Sequence, residues 1–365
     1  MRILQVVTSM LPGGAERLAA ELTPLLMAKG HEVDLILFDG EETILTPGLR
    51  ACGCGIHALS HHKSFYNPLF IFRLRKLMRG YDVVITHNSS PQLFGAIANL
   101  WCKTPLVTTE HNTDNRKRHS WLTRIIDKWM YRQYDRIVCC SDKVKENLSA
   151  YLGHACKMES IPNGVDLSKI YETNPIAIEK KGKKIITMVA SLRKQKDHPT
   201  LLRAMAQLPK GHYELWLLGE GKLEGEARQL AEELGLTESV RFLGVKENVA
   251  EYLKASDVVV LSSHYEGLSL ACIEGMASGK PFIASDVNGL REVVGGAGVL
   301  VPHEDAQALA SAIKRLTDDA KYRKEVVTAC MERASHYDIR RTADLYHKMF
   351  VSVVSGNKDV KKEKK

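Results

Sequence analysis

The feature that most constrains this chain is an alternation that runs twice. A short apolar run ends in a turn, a stretch of helical period follows, and a new apolar run begins. Residues 2–8 are the first run, and Met10-Leu11-Pro12-Gly13-Gly14 is the turn. Ala15 to Ala28 is the helical stretch with Gly30 as its stop, and Glu32 to Phe38 is the second run. Strand, helix, strand in this order predicts a parallel, doubly wound sheet with ligands at the carboxyl ends of its strands. The pattern continues through an amphipathic helix at 68–80, strands at 82–87, 106–110 and 136–141, and helices over Pro91 to Asn99 and Trp121 to Arg132. Asp142 is expected to cap a helix running through Leu152. Ile161-Pro162-Asn163-Gly164 then breaks the pattern, and a polar stretch fills 171–183. At Lys184 the alternation restarts, with strands at 184–190, 213–218, 240–244, 257–261, 282–285 and 298–301. A chain of 365 residues is long enough for two such domains.

Chemistry concentrates where the second alternation meets its fourth strand. Asp257-Val258-Val259-Val260-Leu261 reads as a buried parallel strand, and the small pair Ser262-Ser263 suits a strand-to-helix turn. Leu270, Ile273, Met276 and Ala277 recur at helical spacing. Glu266 therefore stands just before a helix and Glu274 more than one turn inside it. Gly267 and Ser269 leave the helix start bare, and bare N-terminal amides at the positive dipole end bind phosphate. One carboxylate before an anion site and another beyond it match the needs of a sugar nucleotide: acceptors for sugar and ribose hydroxyls, amides for the pyrophosphate. Two glutamates eight positions apart also arise by chance; the strand, turn and helix around them give the spacing its weight.

In that context Glu266 and Glu274 resemble the Glu-x(7)-Glu signature of retaining glycosyltransferases of family 4, group 1 enzymes with the GT-B fold. Further motifs follow in the family's order over almost the whole chain. The resemblance implies two doubly wound Rossmann-like domains facing across a cleft: an acceptor-binding domain at 1–165 and a nucleotide-sugar-binding domain at 166–336. It also implies a helix at 337–354 returning to the first domain, and residues 355–365, charged and without periodicity, read as a disordered tail. By the same resemblance, Arg193 and Lys196 bind the pyrophosphate, Glu274 the ribose, and Glu266 with amides of Gly267, Leu268 and Ser269 the donor hexose. Backbone groups at Gly244, Val245 and Lys246 meet the base, Gly13 and Gly14 approach donor phosphate and acceptor, and His111 approaches the anomeric carbon. The implied donor is a UDP- or GDP-sugar, with no cofactor, and the implied acceptor is a glycan or lipid-linked glycan. Retention is expected to proceed by front-face attack.

One position departs from the family. Many members carry an arginine immediately before the loop leucine; here that residue is Ser191, and the nearest guanidinium is Arg193. Arg193 either reaches the same diphosphate from a shifted origin or is a solvated surface residue. Gly275-Met276-Ala277-Ser278-Gly279-Lys280-Pro281 imitates a triphosphate-binding loop, but it is one residue short and ends in proline where Ser or Thr is needed. The chain has no Asp-x-Asp pair either, so no metal ligand is expected and the leaving diphosphate is expected to be met by fixed cations and amides.

The net charge of +8 does not point to nucleic acid, because no recognition motif or aromatic-basic interleaving accompanies it. Phosphate ligands and an anionic membrane face account for it as well. The helix at 68–80 carries Arg73, Arg75, Lys76 and Arg79, and a loop carries Arg116-Lys117-Arg118-His119; each is either a solvated basic surface or a lipid and phosphate contact. No run of eighteen apolar residues exists, and the N-terminus enters a strand without a secretory h-region. With eight cysteines and no C-x-x-C pair, reduced thiols are expected, in a cytoplasmic protein that sits peripherally on the inner membrane face if it meets lipid. An epimerase or phosphorylase on the same fold, and a non-catalytic sugar-nucleotide binder, are the alternatives.

Overall fold

The computed structural model describes residues 1–11, 13–60, 67–111, 121–153, 157–180 and 182–362; for Leu122 and 357–362 it describes the backbone alone. The chain forms two units, one of Met1–Gly164 with Ile339–Lys365 and one of Val165–Asp338. The break after Gly164 and the return at Ile339 lie one and two residues from the expected boundaries.

The first unit holds strands β1 (Arg2–Val7), β2 (Glu32–Leu37), β3 (Gly55–Ala58), β4 (Val83–His87), β5 (Leu106–Glu110), β6 (Arg136–Cys139) and β7 (Met158–Ser160). Its crossover helices are α1 (Gly14–Ala28), α2 (Thr46–Ala51), α3 (Leu69–Met78), α4 (Ser89–Asn99), α5 (Trp121–Arg132) and α6 (Asp142–Leu152). The sheet order is β3-β2-β1-β4-β5-β6-β7, and all pairs are parallel. Strands β4 and β5 are buried at every residue, as expected when helices cover both faces of a sheet. The cap of α6 is Ser141, whose hydroxyl accepts from the Val144 amide, and Asp142 is the first helical residue rather than the cap. Serine ahead of aspartate takes the cap because its extended backbone aims the oxygen at the third amide, while the aspartate complements the dipole one position later.

The second unit begins with α7 (Leu167–Glu172) and holds β8 (Lys184–Val189), β9 (Tyr213–Leu218), β10 (Val240–Gly244), β11 (Val258–Leu261), β12 (Phe282–Ser285) and β13 (Val299–Val301). Helices α8 (His198–Ala206), α9 (Glu224–Glu233), α10 (Val249–Ala255), α11 (Leu270–Ala277), α12 (Arg291–Val294), α13 (Ala306–Asp318) and α14 (Ala320–Ser335) surround the sheet. Its order is β10-β9-β8-β11-β12-β13, again parallel throughout. The first sheet reverses its winding between β1 and β4 and the second between β8 and β11, and such switch points open a crevice beyond the strand ends.

Helix α15 (Ile339–Lys362) belongs to the first unit. Tyr346, Met349, Phe350 and Val353 pack on Ile3, Val83, Val107 and Val138, at about 1.5–3 kcal/mol for each buried side chain. Gly164 lies against Ile339, where a Cβ would come within 2.6 Å of backbone. The expected tail is corrected here: 355–362 continues this helix, because its packed first half has already met the cost of nucleation. Residues 363–365 and the basic cluster at 116–119 lie outside the described residues.

Candidate functional site

In the second unit the residues of interest lie on the two loops that leave the switch-point strands. The loop after β8 runs from Ala190 to Asp197, and the loop after β11 from Ser262 to Ser269. They are laced together. The His264 amide donates to Gln195 O at 2.8 Å, Gln195 Nε2 to Tyr265 O at 2.9 Å, and Ser262 Oγ to Asp197 O at 3.0 Å. Lys196 Nζ forms an ion pair with Glu266 Oε1, and Ser263 Oγ donates to the same oxygen at 2.8 Å. Both charges are largely out of water, with side chains 12% and 7% exposed. In that surrounding their attraction is worth more than at a surface, and neither tolerates loss of the other.

Glycine fixes two close approaches around this pair. Gly289, at φ +87°, lets the Glu266 loop lie against it; any Cβ would meet Glu266 O at 2.2 Å. Gly219, at φ +132°, lets the end of β9 press on Ala190 O in the same way, which sets the level of the loop after β8. In that loop Arg193 is exposed, and its Nε donates to Ser191 Oγ at 2.7 Å. Its guanidinium thus folds back over residue 191.

Helix α11 starts after Ser269, whose side chain makes no capping bond. The Cys272 and Ile273 amides already donate to Ser269 O at 3.1 and 3.3 Å, so the bare end of the helix is the amides ahead of them, and the buried residues Gly267, Leu268 and Ser269 lead straight into it. Glu274 is buried on this helix. Its neighbour Gly275 lies so close to the sheet that a Cβ would come within 2.5 Å of Phe282, which fixes the depth of the helix. Gly244 closes β10 at φ +69° and accepts from the Gly219 amide at 2.8 Å; Val245 beyond it is exposed and Lys246 half-buried.

In the first unit, Gly13 is the extended residue before α1 and Gly14 its first residue. A Cβ at Gly13 would strike Glu16, whereas Gly14 has open space, so packing does not demand glycine at 14. His111 leaves β5 at the end of a polar chain. Gln5 Nε2 donates to Thr23 Oγ1 at 2.6 Å, so Gln5 Oε1 is the acceptor facing His87 Nε2 at 3.2 Å. His87 Nδ1 then accepts from Thr109 Oγ1 at 2.9 Å, and Thr109 accepts from His111 Nε2 at 2.8 Å. The network assigns His111 its proton on Nε2. Nδ1 keeps a buried lone pair that meets no partner among the described residues. Burial holds both rings neutral: His87 is pushed down to about 3, helped by His111, and His111 to about 4 against a smaller upward pull from Glu110.

The structure thus brings Lys196, Glu266 and Arg193 onto two adjoining loops and places Glu274 on the helix that follows. Gly13, Gly14 and His111 stand at the strand ends of the other unit. Sequence reasoning missed Ser263 as a partner of Glu266 and the chain from Gln5 to Thr109 behind His111. It also missed the cluster of Asp197, His264 and His303, each of which brings a ligand-type atom within 4.8 Å of the others. Gln5, His87 and Thr109 lie within the strand runs at 2–8, 82–87 and 106–110, and a polar residue inside an apolar run was the available signal.

Residues 12–169 match a family model described as Glycosyltransferase Family 4, and residues 171–332 one described as Glycosyl transferases group 1. A Campylobacter jejuni N-acetylgalactosamine-N,N'-diacetylbacillosaminyl-diphospho-undecaprenol 4-alpha-N-acetylgalactosaminyltransferase is 30% identical over 89% of this chain and 93% of its own length. An Escherichia coli UDP-Gal:alpha-D-GlcNAc-diphosphoundecaprenol alpha-1,3-galactosyltransferase is 26% identical over 87% of this chain and 88% of its own. Among solved structures, Anabaena HepE in complex with UDP-glucose aligns with a TM-score of 0.86 at 22% identity, covering 96% of this chain and 100% of that one.

Proposed function

Because the chain belongs to the family 4 glycosyltransferases, with a group 1 domain in its second half, we propose that it moves a hexose-type sugar from a nucleotide sugar to a lipid-diphosphate-linked glycan in polysaccharide or glycoconjugate synthesis, with retention at the anomeric carbon. The observation that carries this reading is the buried Lys196–Glu266 pair at the switch point, set just ahead of the uncapped start of α11. Lys196, Arg193 and the first-turn amides receive the diphosphate; Glu266 accepts from hydroxyls of the hexose, and Glu274 from the ribose. The segment 244–246 supports the base through its backbone. His111, neutral and with an unmet Nδ1, accepts from a sugar hydroxyl.

In the transfer step the acceptor hydroxyl oxygen bonds to the anomeric carbon on the face the diphosphate leaves. The carbon–oxygen bond to the diphosphate breaks, and its electron pair stays with the phosphate oxygen. The acceptor's proton passes to that oxygen, giving a glycoside and a nucleoside diphosphate. Negative charge growing on the leaving group meets fixed cations and amides, so the chemistry needs no divalent ion.

A UDP-sugar donor is favoured by the name of the E. coli relative, and a polyprenyl diphosphate acceptor by the names of both relatives. The first unit suits such an acceptor. Helix α4 packs against both α3 and α5. α3 exposes Leu69 and Phe72 beside Arg73 and Lys76, and α5 exposes Trp121, Ile125, Ile126 and Trp129 beside Arg124 and Arg132. Aromatic and basic side chains together on exposed helices suit an anionic lipid surface. Among the described residues no helix is long and apolar enough to cross a membrane.

The test is label transfer from UDP-galactose, UDP-N-acetylgalactosamine, UDP-glucose and GDP-mannose to a polyprenyl-diphosphate-linked sugar, with and without EDTA, and with the product's anomeric configuration read by NMR. An α-linked product formed in EDTA supports the whole reading. Inversion, a strict magnesium requirement, or donor epimerisation without transfer each overturns the part it concerns.

A further inference from the structure

Three residues that this proposed chemistry does not use stand together on the second unit. Asp197 ends the loop that carries Lys196, His264 lies on the loop that carries Glu266, and His303 follows β13. Asp197 is 4% exposed and adopts the left-handed conformation at φ +42°, a region that aspartate enters more readily than most non-glycine residues. One carboxylate oxygen, Oδ1, caps α8 by accepting from the Thr200 amide at 3.3 Å. The other, Oδ2, is buried and meets no hydrogen-bond donor. A carboxylate oxygen buried without a partner is costly, and such groups usually meet a donor, a water or a cation.

The neighbours of Asp197 are metal-ligand types. His264 Nδ1 and His303 Nε2 face each other at 2.6 Å, with the rings nearly perpendicular at 84°. A carboxylate oxygen of Asp197 and one nitrogen from each ring all lie within 4.8 Å of one another. Glu304 adds an oxygen 3.4 Å from His264 Nδ1 and 3.9 Å from His303 Nε2. A hydrogen bond between the two imidazoles explains their approach but leaves Asp197 Oδ2 unmet.

We propose that Asp197, His264 and His303, with Glu304 as a fourth donor, bind a divalent late first-row cation, zinc above all. Two imidazoles and two carboxylates are a zinc-type donor set, distinct from the all-oxygen sets that magnesium and calcium take. Around a tetrahedral zinc, ligand atoms sit about 3.3 Å apart, so the cluster reaches that geometry by side-chain shifts of about 1 Å. The three ligand loops leave β8, β11 and β13, and the ion ties them at one end of the sheet. It thereby holds the Lys196 loop against the Glu266 loop, a bracing role separate from the sugar-transfer chemistry.

The test uses the full chain, stripped with EDTA, dialysed, and titrated with zinc chloride against a chromophoric chelator, with melting followed in parallel. The expected result is one zinc ion per chain and a zinc-dependent rise in melting temperature. In His264→Ala/His303→Ala both effects disappear. Asp197→Asn keeps the oxygen that caps α8 but loses the second carboxylate oxygen, and it is expected to weaken zinc by about 10-fold or more. Wild type that binds no zinc overturns the proposal. So does a double variant that binds zinc as wild type does, since the ion then sits elsewhere, and so does a site that magnesium saturates equally well. Because the readouts are binding and melting, they stand whatever sugar, if any, the protein transfers.

Discussion

Replacing Glu266 with glutamine separates the charge of this residue from its shape. The amide keeps an acceptor for Ser263 Oγ, now at 2.8 Å from Glu266 Oε1, and changes little in volume. What is lost is the counter-charge to Lys196, whose side chain is only 12% exposed. Two unit charges about 4 Å apart at an effective dielectric of about 20 attract by about 4 kcal/mol. Removing one member of a buried pair costs about 3–5 kcal/mol, because the other is left uncompensated. For a unit of this size that is a loss of about 6 °C or more in melting temperature. A diphosphate restores the missing negative charge, so a free nucleoside diphosphate is expected to stabilise Glu266→Gln more than it stabilises wild type. Sugar transfer is expected to fall sharply, because the hexose has lost its carboxylate. Differential scanning calorimetry with and without UDP or GDP, beside the transfer assay, measures both effects. If Glu266→Gln melts with wild type, the pair is not the buried, mutually dependent one described here. If its affinity for free nucleotide collapses, Glu266 serves the nucleotide rather than the sugar. Adding Lys196→Met to the glutamine variant is expected to recover much of the lost stability, which separates a stranded charge from a general packing defect.

Glu274→Ala is expected to weaken intact donor and free nucleotide equally, by about 1.5–3 kcal/mol, as isothermal titration of both ligands will show; an unchanged nucleotide affinity removes it from the ribose. Arg193→Ala is expected to lower turnover about 100- to 1,000-fold, like Lys196→Ala, while Lys194→Ala has little effect; equal, small effects at 193 and 194 mean that the folded-back guanidinium only decorates the loop. For His111, held near 4 against an ordinary value of 6.5, the unfolded chain takes up its proton first as pH falls. Its contribution to stability is therefore full above about 6.5 and lost as pH falls towards 4, and His111→Gln is expected to flatten the fall in melting temperature across that window. Flotation with anionic vesicles at low salt is expected to carry the protein, and Trp121→Ser/Ile125→Ser to release it, since these side chains are 70% and 57% exposed; flotation that survives the substitutions places the contact elsewhere.

Both parallel sheets were legible because strands such as β4, β5, β9, β11 and β12 are runs buried on both faces, and such runs stand out against turns and helical periods. Strands β3 and β7 were not, for they are short edge strands, and four or three residues carry no period to read. The helix at 355–362 was misread for the opposite reason. Its composition is that of a solvated tail, but it extends a helix already anchored by Tyr346 and Phe350, and propagation from an existing turn needs no apolar face of its own.

The candidate site divides along the same line. The placement of Glu266 before a helix and of Glu274 inside it was legible because strand–turn–helix context fixes where a loop residue must stand relative to a helix start, while Lys196 was singled out by the family resemblance alone. That context says nothing about which loop residues meet each other. Lys196 and Glu266 are seventy positions apart, and so are Gln195 and Tyr265, yet their contacts follow from one fact, that β8 and β11 are neighbours in the sheet. Strand order is a non-local property, decided by which crossovers pack best, and no single loop encodes it. Once the order is given, every cross-loop contact at the switch point becomes a near-neighbour contact. Ser191 illustrates the consequence. A linear comparison sees a lost arginine there, whereas the fold returns the Arg193 guanidinium to the same serine hydroxyl at 2.7 Å. The position of a charge in a site of this kind is set by where the side chain ends, and a departure of two residues in sequence need not move it.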